Sequence, residues 1–251
     1  MRNKDGTVHF SELKRMALSP AHYAAAIKYG VEVTALMRAG SLTDCLLLTG
    51  EKPIVFNGRR QGGEWELFRS AHAGHDIYTR SEYEDAMEVV SFVRADPLAR
   101  EFLGLNDELR RTQVPLKWQT NGVPRSTRGI DVLTRRRLVD LKYTNSTKPS
   151  LFAWHAHNML WHAQLADYQE ACEQNGIDIS EGIFLVGIES KLPYCVTVLK
   201  LTEEALEQGR KCIALWIEKF KSCERDKVWP GYTRVVEELD ARQYNSDDGE
   251  Y

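Results

Sequence analysis

Along this chain of 251 residues the apolar positions change their period partway through. In roughly the first hundred residues they recur every three to four positions, the spacing of helices with one buried face. Phe10 to Ile27 reads as one helix broken near Ser19-Pro20, with Ser11 and Ser19 as caps and Pro20 at a first helical position. Val31 to Leu48 is helical in pattern, interrupted by Gly40, and Glu51 to Gly63 reads as loop or edge strand. Ser81 to Leu103 predicts a helix through Tyr83, Met87, Val90, Val93 and Leu98. The period then shortens. "TQVPLKWQ", "RGIDVLTR" and "RLVDLKYT" predict an antiparallel meander. Helix returns over Ser150 to Asn175, two strands follow in "GIFLVGIE" and "YCVTVLKL", and Thr202 to Cys223 closes as an amphipathic helix. The order predicts a mixed α/β (α+β) fold, a central mixed sheet flanked by helices with a helical N-terminal part. One domain is expected over residues 1–234, with an acidic, flexible tail over 235–251.

Charge changes this picture more than composition does. The hydrophobic content of 43% and charged content of 27% are ordinary for a globular chain. The net charge of −3 is uneven: six of the acids lie from Glu237 to Tyr251, and without that tail the net is +2. Between Glu108 and Lys148 ten bases face three acids. Such a segment suits a polyanion, or simply a solvated basic face. The five cysteines are scattered without a C-x-x-C pair, which reads as reduced thiols in a cytoplasmic protein. No apolar run approaches the ~20 residues of a membrane span, and the first residues lack the apolar centre of a secretory signal.

The basic segment also holds the chemistry. Asp131 and Asp140 sit inside apolar strand-like runs on either side of "TRRR", where an unpaired charge is costly. Lys142 follows Asp140 by two, so a strand's period puts both on one face. Two carboxylates and an ammonium on a hairpin can hold a magnesium ion, with the Leu141 backbone carbonyl as a further oxygen ligand. A bound ion polarises a phosphodiester and activates water, while the lysine stabilises developing negative charge. Gln164 and Tyr168 fall four apart on a helix and therefore share a face. His155, His157 and His162 are the only zinc-like cluster, and no further His or Cys lies at ligand spacing.

Taken in order, Gly129-Ile130-Asp131, Asp140-Leu141-Lys142 and Gln164-Leu165-Ala166-Asp167-Tyr168 resemble the motifs of the PD-(D/E)xK nucleases. The closest likeness is to the RecB-like branch that includes RecE-type phage and prophage exodeoxyribonucleases. "FSELKRMALSPAHY", "AGSLTDCLLL" and "WPGY" resemble that branch's outer segments, so the likeness runs from about Phe10 to Tyr232. It implies a restriction-endonuclease-like core and a magnesium-dependent exonuclease acting on double-stranded DNA ends, with manganese able to substitute. It implies catalytic roles for Asp131, Asp140, Lys142, Gln164 and Tyr168, and metal ligation by Asp131, Asp140 and the Leu141 carbonyl. Arg128, Arg135, Arg136 and Arg137 are the expected DNA-binding cations. The expected partners are DNA, a single-strand annealing protein and further copies of the chain in a ring, with no membrane, in a bacterial or phage-infected cell.

Two positions depart from that pattern. Where relatives commonly offer a histidine after the early Gly-Ser/Thr motif, this chain has Asp44, a hard ligand expected to bind the metal. Gln113 stands where relatives often carry a glutamate, which would weaken metal affinity. Some RecB-like nucleases hold an iron–sulfur cluster; here the only late cysteines are Cys212 and Cys223, with the wrong spacing, so none is expected. The competing readings are a catalytically silent DNA-binding or adaptor protein on the same fold, and a structure-specific endonuclease.

Overall fold

The computed structural model describes residues 1–232, so the acidic tail read over 235–251 lies outside the described residues. The N-terminal part is helical. α1 (Phe10–Leu13) runs into a 3-10 turn, Lys14–Ala17, and α2 (Pro20–Tyr29) follows. Ser19 caps α2 by accepting from the His22 N–H, and Pro20 takes the first helical position, where its missing N–H has no cost. Ser11 has no capping role; extended His9 precedes α1. α3 (Ala35–Asp44) passes unbroken through Gly40 and widens into a π turn, Cys45–Thr49.

The next segment differs most from expectation. β1 (Ile54–Phe56), α4 (Gly62–Ala71) and β2 (Ile77–Thr79) precede α5 (Arg80–Ala95), with β1 and β2 paired in parallel. α5 opens with a capping box, Thr79 and Glu82 each bonding the other's backbone N–H. The helix expected to run to Leu103 stops at Asp96-Pro97. Proline cannot donate within a helix, and Asp96 instead caps α6 (Pro97–Phe102), accepting from the Ala99 N–H at 2.7 Å.

The sheet has the order β3-β4-β5-β6-β7. β3 (Arg111–Thr120) and β4 (Val123–Thr134) are joined by Asn121-Gly122, both at positive φ, the two-residue turn that matches strand twist. β4 starts earlier than the pattern indicated, because Val123 to Thr127 pair with Thr120 to Leu116. β5 (Arg137–Thr144) completes the antiparallel meander. The chain then crosses through α7 (Pro149–Asn158) and α8 (Trp161–Gln174), which are separate helices because Leu160 adopts φ 61° between them. β6 (Gly182–Glu189) lies parallel to β5, β7 (Val196–Lys200) is antiparallel at the edge, and α9 (Glu203–Asp226) follows.

Both sheet faces are buried. Ile130, Leu138, Leu165, Leu185, Ile217 and Phe220 belong to one apolar cluster, shared with α1, α8 and α9. Val132, Val139, Leu141 and Val186 join the α5 residues Val89 and Val93 in the other. Adjacent β5 residues therefore serve opposite cores: Leu138 points to the first, Val139 and Leu141 to the second. Asp140 and Lys142 share the face of Leu138, which is the face covered by α8.

Candidate active site

The site is a fork in the sheet. β4 and β5 pair from Thr134↔Arg137 through Val132↔Val139, and there the ladder ends. The next facing positions in that register are Asp131 and Asp140. Instead of a ladder bond, the Leu141 N–H donates to Asp131 Oδ2 at 2.8 Å. Because a strand residue directs its N–H and C=O to the same edge, the Leu141 carbonyl opens toward this fork as well. Asp131 Oδ1 accepts from the Gln113 side-chain amide at 3.1 Å.

What splays the strands is a bulge. Between Val114 and Leu116, β3 advances two residues while β4 advances three, from Ile130 to Thr127. An extra residue bends one strand and re-aims its side chains. The bulge demands Gly129: a Cβ there would come within 2.8 Å of the Gln113 backbone and its Oε1. Gln113 is itself at φ 48°, a left-handed conformation uncommon outside glycine. Gly129, read from sequence as part of a motif, is thus a packing requirement for the residue that holds Asp131.

α3 brings the third carboxylate. Gly40 lies against β5, where an added Cβ would sit 3.2 Å from Tyr143 Cβ. Without a side chain at Gly40 the helix approaches the strand closely, and Asp44, one turn on, comes near enough to the fork for Asp131 and Asp140 to act on its carboxyl. Burial, then Asp131 and Asp140, push the Asp44 carboxyl well above its ordinary range, with Lys142 opposing. Burial and Asp140 raise Asp131 to about 7. For Lys142 burial disfavours the ammonium, yet Asp140 and Asp131 outweigh it and the net shift is upward.

α8 supplies the opposite wall. Lys142 Nζ lies 2.5 Å from Asp140 Oδ2 and donates to Gln164 Oε1 at 3.2 Å. Gln164 Nε2 donates to Asp140 Oδ1 at 3.2 Å and to Tyr168 Oη at 3.1 Å. An ammonium only donates, so it fixes which end of the Gln164 amide faces it. Both N–H donors and the carbonyl oxygen of Gln164 serve to hold Asp140, Lys142 and Tyr168 in register. Tyr168 also accepts from Thr127 at 3.4 Å, and burial and Asp140 raise its pKa to about 12. Asp167, within the third motif, turns away to a fully buried pair with Arg125 at 2.7 Å. Its environment ties α8 to β4, and it would not be found from a single strand's pattern.

The arginines divide. Arg128 is exposed beside the bulge, on the rim of a groove of about 510 Å³ that Gln164 and Tyr168 also line. Arg135, Arg136 and Arg137 lie at the hairpin's other end, about 10 Å up the strand from the fork at ~3.3 Å per residue. They pair with carboxylates: Arg135 with Asp107, Arg136 with Glu181, Arg137 with Glu181 and Glu101. The structure does not bring these three to the site. A larger groove, about 690 Å³, lies at that tip, lined by both Arg135 and Asp107, away from the fork. Lys14 was missed from sequence. It lines the fork-side groove and is close enough to Lys142 for that charge, after burial, to lower it to about 8. A lysine in a 3-10 turn has no local signal that distinguishes it from a surface residue.

The donor set fits a hard divalent cation. Asp131 and Asp140 offer carboxylate oxygens, and buried Asp140 Oδ2 has the Lys142 ion pair but no hydrogen-bond partner. Asp44 would join them as the cation offsets their repulsion. Among the described residues no three His, Cys, Asp or Glu side chains are gathered at metal-holding distance, so the expected three-carboxylate set is not preassembled. Three carboxylates repel one another, and Lys142 offsets only part of that repulsion. The histidines do not converge on a zinc geometry: His157 and His162 stack face to face at 5.1 Å, and burial lowers His162.

Comparison with known proteins bears on the fold and the family. A search of curated proteins finds no match. The crystal structure of a "putative exonuclease" from Eubacterium rectale is similar, with a TM-score of 0.62 over 97% of this chain and 94% of that one. At 13% identity the likeness is one of fold. A family model described as a PDDEXK-like domain of unknown function matches residues 9–242, nearly the whole chain. The chain belongs to this PDDEXK-like family.

Proposed function

We propose that this protein is a divalent-metal-dependent deoxyribonuclease that hydrolyses phosphodiester bonds from duplex ends. The observation that carries the reading is the convergence of Asp131, Asp140 and Lys142 at the fork, with Gln164 bridging the last two. Membership of a PDDEXK-like family supports it, since such nucleases generally use divalent metals. A bound magnesium ion would supply Lewis acidity and a more acidic water. The chain's own groups do the rest. Asp131 and Asp140 present oxygens on one side, held by the Leu141 N–H and the Gln113 and Gln164 amides. Lys142, paired with Asp140 and donating to Gln164, directs its ammonium at the charge that grows on the phosphoryl oxygens. End-directed action, a part in phage-type recombination, an annealing partner and a ring of copies rest on the resemblance to RecE-type enzymes.

One observation favours a silent DNA-binding protein instead: Gln113 donates an amide hydrogen bond to Asp131 where relatives often bring a further carboxylate, leaving one metal-binding group fewer. A single assay separates the readings. Wild type and Asp140→Ala are incubated with magnesium and either linear or covalently closed circular DNA. End-directed cleavage degrades only the linear form, and Asp140→Ala abolishes it while still binding DNA, because affinity rests on phosphate contacts. Cutting of closed circles points to an endonuclease. No cleavage by folded wild type that still binds DNA supports the silent protein.

A further inference from the structure

The groove beside the fork holds two cations without counter-charges. Lys14, half-buried in the 3-10 turn, and exposed Arg128, on the bulge, both line it, and among the described residues neither has a carboxylate within 4 Å. The arginines of the hairpin tip are all paired, whereas Lys14 and Arg128 beside the fork are not. The groove's one carboxylate, Glu12, is buried and turned to His9, whose Nδ1 is 3.7 Å from Glu12 Oε2. Lys142 cannot serve Lys14 as a partner, being itself an ammonium committed to Asp140. Gly129, Gln164 and Tyr168 connect the groove directly to the fork. On its far side Val31, Val33 and Met37 form an exposed apolar rim.

Asp140 acts on Lys14 only from beyond ion-pair distance, and a half-buried ammonium without a carboxylate in contact is held at a cost unless an anion arrives. Lys14 and the exposed guanidinium of Arg128, flanking a groove that opens at the reaction centre, match the charge of consecutive phosphates. We propose that Lys14, together with Arg128, grips the phosphate backbone of the strand being cut as it leaves the fork along this groove. The proposal rests on the nuclease reading for its substrate, but it makes Lys14 a positioning residue whose contact is with phosphates adjacent to the scissile one. The hairpin-tip arginines then have no share in substrate binding.

The test measures binding and turnover separately in the full chain. Affinity for a fluorescent single-stranded oligonucleotide is titrated against salt, without divalent metal, for wild type, Lys14→Met, Lys14→Arg, Arg128→Ala and Arg136→Ala. Methionine keeps the stem that packs in the turn and removes only the charge. Each lost phosphate contact should lower the slope of log K against log salt by about 0.7 for a single strand. Lys14→Met and Arg128→Ala should each show that drop and bind roughly tenfold more weakly at low salt, Lys14→Arg should restore both, and Arg136→Ala should match wild type. In cleavage, Lys14→Met should raise KM with kcat largely kept. A Lys14→Met protein with unchanged slope and affinity would overturn the assignment, as would failure of wild type to bind the strand. If wild type binds with the expected slopes yet cuts nothing, the nuclease reading falls and the groove assignment stands.

Discussion

Lys142 and Asp140 depend on each other more than on the rest of the site. Asp140 is 2% exposed, and its Oδ2 has the lysine ammonium as its one near cation among the described residues. Removing one partner of a buried pair leaves the other uncompensated, at a cost of about 3–5 kcal/mol. Lys142→Ala should therefore melt well below wild type in metal-free buffer. Magnesium, supplying positive charge at the same carboxylates, should restore more of the melting temperature in the variant than it adds to wild type. Cleavage should still fall by about 10² or more, because the ion does not replace an ammonium aimed at the transition state. Equal magnesium-induced shifts in thermal melts would show that the lysine and the ion do not share Asp140. Gln164 was legible as a motif residue sharing a face with Tyr168, but its bonds to Asp140 and Lys142 were not, since they join one helix to one strand across 22 and 24 positions.

At the level of elements, α3 is positioned by an absence. Glycine in a helix interior costs about 1 kcal/mol relative to alanine, so propensity alone favours Gly40→Ala. The contact opposes it: an alanine Cβ 3.2 Å from Tyr143 Cβ meets a strand's own Cβ rather than a flexible side-chain end. Overpacking of this kind costs about 1–3 kcal/mol, so it outweighs the propensity gain and pushes α3 off β5. Gly40→Ala should lower thermal stability slightly and reduce the magnesium- or manganese-induced melting shift, as Asp44→Asn does. If Gly40→Ala keeps the full shift while Asp44→Asn loses it, the close approach is not what delivers Asp44. From sequence Gly40 reads as an interruption, because spacing records helix propensity and not what lies opposite. The divided helices at Pro97 and Leu160 follow the same logic. Pro97 marks the first break, although apolar spacing carried the expected helix past it to Leu103, and Leu160 at φ 61° carries no such mark.

Across the whole molecule, buried acid sets the response to pH. Burial and Asp140 hold the Asp131 carboxyl at about 7, and burial holds Asp167 at about 6 against the pull of Arg125. Both stand above the ~3.9 of an unfolded aspartate. Between these values the folded chain keeps protons that the unfolded chain has released, so raising the pH favours unfolding. As far as these groups decide it, metal-free stability should therefore be greatest below about pH 4, fall as pH rises from there, and level off once it passes about 7. Saturating magnesium, which requires the ionised carboxylates, should bind more tightly above pH 7 and flatten the upper part of that fall. Urea melts at several pH values with and without magnesium check this. A metal-free stability that climbs from pH 5 to 8 would contradict the buried carboxyls.

The sequence by itself determined the strand register of the motif: a period of two places Asp140 and Lys142 together, and a helix's turn places Gln164 with Tyr168. It also carried the family, because those residue types recur in a recognisable order. These are local properties, written in spacing. The tertiary structure decided which charges meet. Asp131 faces Asp140 because a bulge opens β4 where Gly129 meets Gln113, and Asp44 arrives because Gly40 lets α3 approach β5. The three consecutive arginines, the loudest basic signal in the chain, are neutralised by Asp107, Glu101 and Glu181. Lys14, silent in the sequence, faces the groove unpaired among the described residues. Whether a charge is free depends on its neighbours in space, and for these groups the neighbours lie tens of residues away along the chain.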